Sequence, residues 1–438
     1  MGNEKIRASF ISLGCFKNIV DTEVLGGMLE KKNIQLVSPY EETDWVIINT
    51  CGFIRDAKEE SIDEILNAFE KKEAGEVKHV AVFGCLIERY YDDIQESFEN
   101  ADILWGVNGM EELADLISKN ENKDYKDSEL FLYNDSHKRI ITTTPNSTFI
   151  KISEGCNMKC AFCSIPSIRG KFRSRDLNSL IKEAESYKER GFKEINLISQ
   201  NSTYFGKDKN KKSQFPELLK EFANIGFDWL RVLYLMPEDV NDKMIEAFDH
   251  PSILPYFDLP FQHVAENVLK KMYRGKGIYK NSELITKIRK RYDNAVIRSS
   301  FIVGFPGETV SDFEELKTFV KEQRIERVGV FGYSDEENTS AFDLQEKIEP
   351  ELIEERKEII LDISDDNLEK YNKSLLNKEM SFLPLGPWDN NTTIGRISSQ
   401  SPETDGLTKV DTPFTEDYSP MKIKVNGFDH ELISGEKI

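Results

Sequence analysis

The chain has 438 residues, long enough for two or three domains. Hydrophobic residues make up 39% and charged residues 31%, a balance that supports a buried core and excludes a mostly disordered chain. Lys and Arg number 58 against 78 Asp and Glu, a net charge of −20, which disfavours a broad nucleic-acid-binding surface and suits either plain solubility or a basic partner. No apolar run of about 18 residues occurs, so no helical membrane span is expected. The opening MGNEKIRASF lacks the apolar stretch of a secretory signal, so a cytoplasmic location is expected. Six cysteines are too few for a disulfide scaffold there and point to metal binding.

In chain order, residues 7–13, 45–50 and 79–83 read as buried parallel strands, with helical patterns near 20–32 and 56–73. That rhythm predicts an open, doubly wound α/β domain over residues 4–121. A polar stretch, 119–138, reads as a linker. The rhythm resumes over 142–372 with strands at 148–153, 193–199, 230–235, 256–259, 296–303 and 327–332. Helices at 178–190, 216–225, 239–248, 265–272, 282–292 and 310–323 separate them. Six such units predict a barrel or partial barrel with its site at the carboxyl ends of the strands. The last stretch, 374–438, loses helical periodicity; MSFLPL, TTIGRIS, GLTKVD and MKIKV predict a small all-β barrel.

Cys156, Cys160 and Cys163 stand in EGCNMKCAFCSIP, directly after a predicted strand. Three soft thiolates on one short loop suit an iron–sulfur cluster. A structural zinc site needs a fourth ligand nearby, and the closest histidine, His137, lies across the strand and linker. Three ligands to a four-iron cluster leave one iron open. Cys15, Cys51 and Cys85 each follow an apolar run: ISLGC, IINTC and VFGC. Consecutive parallel strands align their carboxyl ends, so these thiols are expected to converge as a second cluster site; three ordinary buried cysteines are the alternative.

GCNMKCAFC resembles the radical S-adenosylmethionine (SAM) signature. The resemblance implies a partial (β/α)6 barrel in which the open iron binds SAM and the reduced cluster cleaves it. With the three separated cysteines and a terminal β module similar to a TRAM domain, the whole chain resembles the methylthiotransferases. That family implies two [4Fe-4S] clusters, SAM as cofactor and methyl source, and replacement of C–H by C–S–CH3. SLGCFKNIVDTE is similar to the SLGCPKNLVDSE of the RimO-type branch rather than to the GCQMN of the tRNA-modifying, MiaB-like branch. The RimO-type branch implies an aspartate of ribosomal protein twelve of the small subunit as substrate, free or on the ribosome, with a reductant and a sulfur donor as further partners and no primary nucleic-acid substrate. A tRNA adenosine methylthiotransferase is the alternative. From Ser374 onward six Lys and Arg stand against ten Asp and Glu, a balance of −4 that fits a basic protein better than RNA phosphates. Asp405, Asp411, Glu416 and Asp417 are the acids expected to face that partner.

Phe16 replaces the usual Pro of the branch, Asn201 a common Asp, and Asn338 a Gly. Gln200 and Asn201 end a predicted strand and are candidates to meet SAM, as are Gly304 and Gly307 of IVGFPGET, with a strand cap and a structural turn as alternatives. Phe162 would shield the cluster or join the core. Gln262 and His263 follow another strand, His263 more in keeping with a hydrogen-bonded structural residue. Arg169, Lys171, Arg173 and Arg175 would hold carboxylates or form a solvated basic stretch.

Overall fold

The computed structural model describes residues 5–122, 130–275, 277 and 279–438. Alternating apolar and amphipathic segments open the chain as β1 (Arg7–Ser12), α1 (Phe16–Lys31), β2 (Gln35–Val37), β3 (Trp45–Thr50), α2 (Arg55–Glu73), β4 (His79–Gly84), α3 (Cys85–Ile94), β5 (Ile103–Trp105) and α4 (Met110–Lys119). The strands form one parallel sheet in the order β2-β1-β3-β4-β5. Successive side chains of a strand point to opposite faces, so Trp45 and Ile47 pack with Val20, Leu25 and Leu113 of α1 and α4. Val46 and Ile48 pack instead with Ile65, Ala68 and Phe69 of α2. The doubly wound reading holds, and the sheet adds two short edge strands, β2 and β5, that the sequence reading omits.

The polar stretch after α4 is more than a linker. Residues 123–129 lie outside the described chain, but Tyr133 beyond them is buried beneath the Arg175 guanidinium, 3.9 Å from the ring centroid. Arg139 is wholly buried and pairs with Glu23 of α1 and with Glu183, so this strap ties the first sheet to the larger barrel.

The next segment runs β6 (Ser147–Lys151), β7 (Ser153–Glu154), α5 (Ile165–Ile168), β8 (Arg173–Ser174), α6 (Leu177–Glu189), β9 (Glu194–Ile198), α7 (Lys207–Asn210), α8 (Phe215–Asn224), β10 (Trp229–Val232), α9 (Asp242–Glu246), β11 (Tyr256–Asp258), α10 (Glu266–Lys271), α11 (Asn281–Arg291), β12 (Val296–Val303), α12 (Val310–Gln323), β13 (Arg327–Gly332) and α13 (Pro350–Leu375). Six parallel strands follow one another as expected, in the order β6-β9-β10 and then β11-β12-β13. A single bridge, Leu230 to Ile253, joins the halves. Pro255, lacking an N–H, stands immediately before β11 and limits the ladder there. Outward residues such as Ile195, Leu230, Phe257 and Phe301 form one apolar layer with Leu218, Phe222 and Leu316 of the helices. The 26-residue helix α13, opened by Pro350, is absent from the sequence reading; it packs Ile360, Leu368 and Leu375 inward.

The chain ends in a closed barrel of β14 (Glu379–Pro387), β15 (Thr393–Ile397), β16 (Thr408–Val410), β17 (Met421–Asp429) and β18 (Leu432–Lys437), in the order β14-β15-β16-β18-β17. Phe382, Ile397, Val410, Ile423, Val425 and Ile433 fill it. Its seat on the larger barrel is ionic. Buried Glu194 of β9 accepts from Arg396 of β15 and from Ser147 Oγ at 2.6 Å, and its Oε1 lies 3.5 Å from Arg231 Nε. Asp405 corrects an expectation. It is 1% exposed, accepting from Tyr256 Oη at 2.6 Å and Ser401 N at 2.9 Å, so it braces the two barrels and faces no partner. Asp411, Glu416 and Asp417 are exposed. No helix among the described residues is long and apolar enough to cross a membrane.

Burial pushes the Glu194 carboxyl up, but Arg396 and Arg231 outweigh it and hold the group down at about 2. The unfolded chain titrates near 4.3, so this contribution to stability is present above that pH and is lost as pH falls toward 2. Denaturant titrations of Glu194→Gln should therefore lose the part of the acid-limb slope that this group contributes. In the same assay Asp405→Ala should cost about 3–5 kcal/mol and Asp417→Ala less than about 0.5 kcal/mol.

Candidate functional site

The carboxyl ends of β1, β3 and β4 lie side by side, and each runs directly into a cysteine. Cys15 caps α1, Cys51 follows β3 and Cys85 opens α3. Asn18, one turn into α1, lies between two of them, its Oδ1 4.0 Å from Cys15 Sγ and 3.9 Å from Cys85 Sγ. Asn18 Nδ2 donates to Leu13 O at 2.9 Å and Thr50 O at 3.1 Å, pinning the ends of β1 and β3 together. The Cys51 loop can approach this closely because residue 52 is glycine: a Cβ there would stand 2.7 Å from Leu86 Cα. The three thiols of separate strands converge.

Cys156, Cys160 and Cys163 lie on the loop between β7 and α5. Cys156 N donates to Gly170 O at 3.1 Å and Ala161 N to Met272 O at 3.0 Å, fixing the loop at both ends. Arg274 reaches Cys160 while its Nε holds Glu238 at 2.6 Å. Phe162, half-buried, packs with Ile302 and Phe305.

Arg169 carries the segment after the second cysteine loop onto the first set. It leaves α5, just after the second cysteine loop, and is 3% exposed. Its Nη2 donates to Asn18 Oδ1 at 2.7 Å and reaches Cys85 Sγ at 3.2 Å; its Nη1 pairs with Asp21 of α1 at 2.5 Å. Asp21 also holds Lys151, whose Nζ lies 2.5 Å from Glu154 Oε2. Glu154 in turn accepts from Gln200 Nε2 at 2.8 Å. Burial pushes Glu154 up, yet Lys151 and Arg169 beside it bring it down to about 2. This charged chain therefore runs unbroken from Cys85 to the end of β9.

Burial also raises the thiols: Cys85 to about 12, Cys156 to about 11, and Cys51, Cys160 and Cys163 upward. Such sites bind metal with proton release, because the ligand is the thiolate. Among the described residues no three Cys, His, Asp or Glu close on a single metal-ion position. Three thiolates in each set suit a cluster in which each takes its own iron.

Of the other candidates, Gln200 stands at the end of β9 with its Oε1 buried and unpartnered among the described residues. Asn201 is committed to the loop, its Nδ2 donating to Asp239 at 3.2 Å and its Oδ1 accepting from Thr203 at 2.6 Å. Gly304 and Gly307 both have positive φ, +72° and +76°, and are crowded by the chain itself. A Cβ on Gly304 would meet Ile353 of α13 at 2.3 Å, and one on Gly307 the Lys271 Nζ at 1.9 Å. His263 is buried and structural, its Nδ1 accepting from Ala265 N at 3.1 Å. Arg175 is buried on Glu183. Asn18, Asp21, Lys151, Glu154 and Arg274 escaped the sequence reading. Asn18 and Asp21 were findable, one helical turn apart after Cys15 on a helix that begins there.

The Radical SAM superfamily profile matches residues 150–320, and that of the Uncharacterized protein family UPF0004 matches residues 7–106. The chain is 40% identical to the ribosomal protein uS12 methylthiotransferase RimO of Aquifex aeolicus, over 93% of this chain and 91% of that one. It belongs to the RimO family. The Clostridium botulinum RimO is 37% identical over 98% of both chains, and the Solibacter usitatus RimO 39% over 92% and 88%. The radical SAM methyltransferase TsrM of Kitasatospora setae shares the fold at a TM-score of 0.55, with 13% identity over 75% of this chain and 73% of that one.

The raised thiols carry a direct consequence for the iron-free protein. At about pH 8, Cys156 and Cys85 hold some 10²- to 10³-fold less thiolate than a free cysteine. Because a thiolate of higher pKa is also the better nucleophile, mass spectrometry after timed iodoacetamide exposure should find both labelled about 10-fold or more slower in the folded than in the urea-unfolded chain.

Proposed function

We propose that this chain exchanges a C–H bond on the β-carbon of an aspartate in ribosomal protein twelve of the small subunit, uS12, for a C–S–CH3 group, as a cytoplasmic enzyme. The observation that carries the reading is the guanidinium of Arg169, six residues after the second cysteine loop, seated on Cys85 of the first thiol set in a chain of the RimO family. SAM and two four-iron clusters, bound there, supply hydrogen abstraction, a methyl group and sulfur. Cys156, Cys160 and Cys163 would hold one cluster and Cys15, Cys51 and Cys85 the other. In each set three soft thiols leave one iron free, and a guanidinium faces the set, Arg274 at Cys160 and Arg169 at Cys85.

The chain's own residues orient and exclude. The unpartnered Gln200 Oε1 is an acceptor suited to a ligand ammonium or hydroxyl, and Asn201 fixes the turn that carries it. Gly304 and Gly307 shape the end of β12. Phe16 stacks on Phe149 with centroids 4.5 Å apart and keeps water from the seam. Residues 4–121, 142–372 and 374–438 then serve as the auxiliary-cluster, SAM and substrate-docking units. A protein partner is favoured over tRNA by the small barrel. With the buried Arg396 and Asp405 set aside, its surface carries five Lys against nine Asp and Glu, still −4.

The test is anaerobically reconstituted full-length protein given SAM, a reductant and sulfide with either uS12 or an adenosine-containing anticodon stem-loop. Mass spectrometry should show methylthiolation of the aspartate and none of the RNA; turnover of the stem-loop alone would overturn the reading in favour of a tRNA enzyme. Cys156, Cys160 and Cys163 changed together to Ala should keep about four of eight irons and lose SAM cleavage. The Cys15, Cys51 and Cys85 triple change should keep about four irons and SAM cleavage but lose methylthiolation.

A further inference from the structure

Lys17 lies two residues beyond Cys15, on the first turn of α1. It is 7% exposed, and its Nζ stands 3.2 Å from the ring centroid of Tyr234, just past the carboxyl end of β10. Tyr234 holds a left-handed backbone, φ +61°, and its N–H is committed to Asp258. Arg173, beside Glu154, also lacks a carboxylate, but the other cations near Lys17 have one: Lys151 has Asp21 and Glu154, Arg169 has Asp21, Arg274 has Glu238, and Arg298 has Asp258. Lys17 alone among these has neither a carboxylate nor a hydrogen-bond acceptor among the described residues. The acid one turn along its own helix, Asp21, is committed to Lys151 and Arg169. The side chain is mostly covered while its ammonium keeps room for an anion, and the aromatic face offsets only part of the hydration it loses.

We propose that Lys17 is the anchor for a carboxylate of the incoming substrate, namely the side chain of the aspartate to be modified. This rests on the function proposed above and names the residue that tells aspartate from its neutral analogues. An ammonium on the auxiliary-cysteine side of the seam would hold the carboxylate while leaving the adjacent β-carbon free. It gives an acidic side chain a charge-assisted hydrogen bond that an amide or an RNA base cannot replace.

The test uses reconstituted full-length protein, a uS12 peptide carrying the target aspartate, and the same peptide with asparagine there. Wild type should bind the aspartate peptide about 10- to 100-fold more tightly. Lys17→Met should lose that preference by weakening only the aspartate peptide, and Lys17→Arg should keep part of it. A purely structural lysine would weaken both peptides alike and lower the melting temperature, which overturns the proposal. So does a Lys17→Met protein that still prefers aspartate while losing affinity for SAM, since SAM also bears a carboxylate. Wild type that neither binds nor methylthiolates the aspartate peptide would instead refute the underlying function.

Discussion

One guanidinium holds the centre of this molecule together. Arg169 belongs to the segment after the SAM-type cysteine loop, yet its partners Asn18, Asp21 and Cys85 belong to the first sheet. Its carboxylate neighbours are themselves tied to Lys151, so four charges of alternating sign share one dry seam. Buried ions of this kind are costly singly and tolerable only when every partner is present, which makes the seam a device for geometry more than for stability. The first sheet and the barrel keep one relative placement because any other would strand a charge. Glu336 repeats the logic at the rim, taking Lys58 and Arg89 from the first sheet's helices.

The placement matters because neither cysteine set does the proposed reaction alone. One would generate the reactive species and the other carry the sulfur, so the distance between them must be fixed before substrate arrives. The strap through Tyr133 and Arg139 and the Phe16–Phe149 stack serve the same end with packing instead of charge. The small barrel is anchored by Glu194 at the opposite, amino-terminal end of β9. It therefore stands away from the cysteines and can recognise a partner without crowding the chemistry.

Much of this was legible in the sequence. Six cysteines at strand ends or on one loop, and apolar runs at regular intervals, define the doubly wound sheet, the partial barrel and the terminal β module, because period and spacing are local properties. What escaped was set by long-range partnership. Asp405 reads as one more surface acid until Tyr256 is folded against it, 149 residues away. Arg169 reads as part of a basic run, and only the fold brings Asp21, 148 residues earlier, to meet it. The glycines of IVGFPGET invite a ligand by their spacing, but Ile353 of a helix that the sequence reading omitted fills the space at Gly304. Helix α13 itself is mostly polar, so its narrow apolar stripe is easily missed.

In the proposed reaction the two three-cysteine sets form a single reaction centre. Electron paramagnetic resonance of the dithionite-reduced, fully reconstituted protein tests it most directly. Two four-iron clusters held across the Arg169 seam should give a spectrum broadened and split by their mutual spin interaction, with each triple-cysteine variant giving the simpler signal of one isolated cluster. A wild-type spectrum equal to the plain sum of the two variant spectra would rule out a shared centre, because it would mean that the sets lie too far apart to act on one substrate.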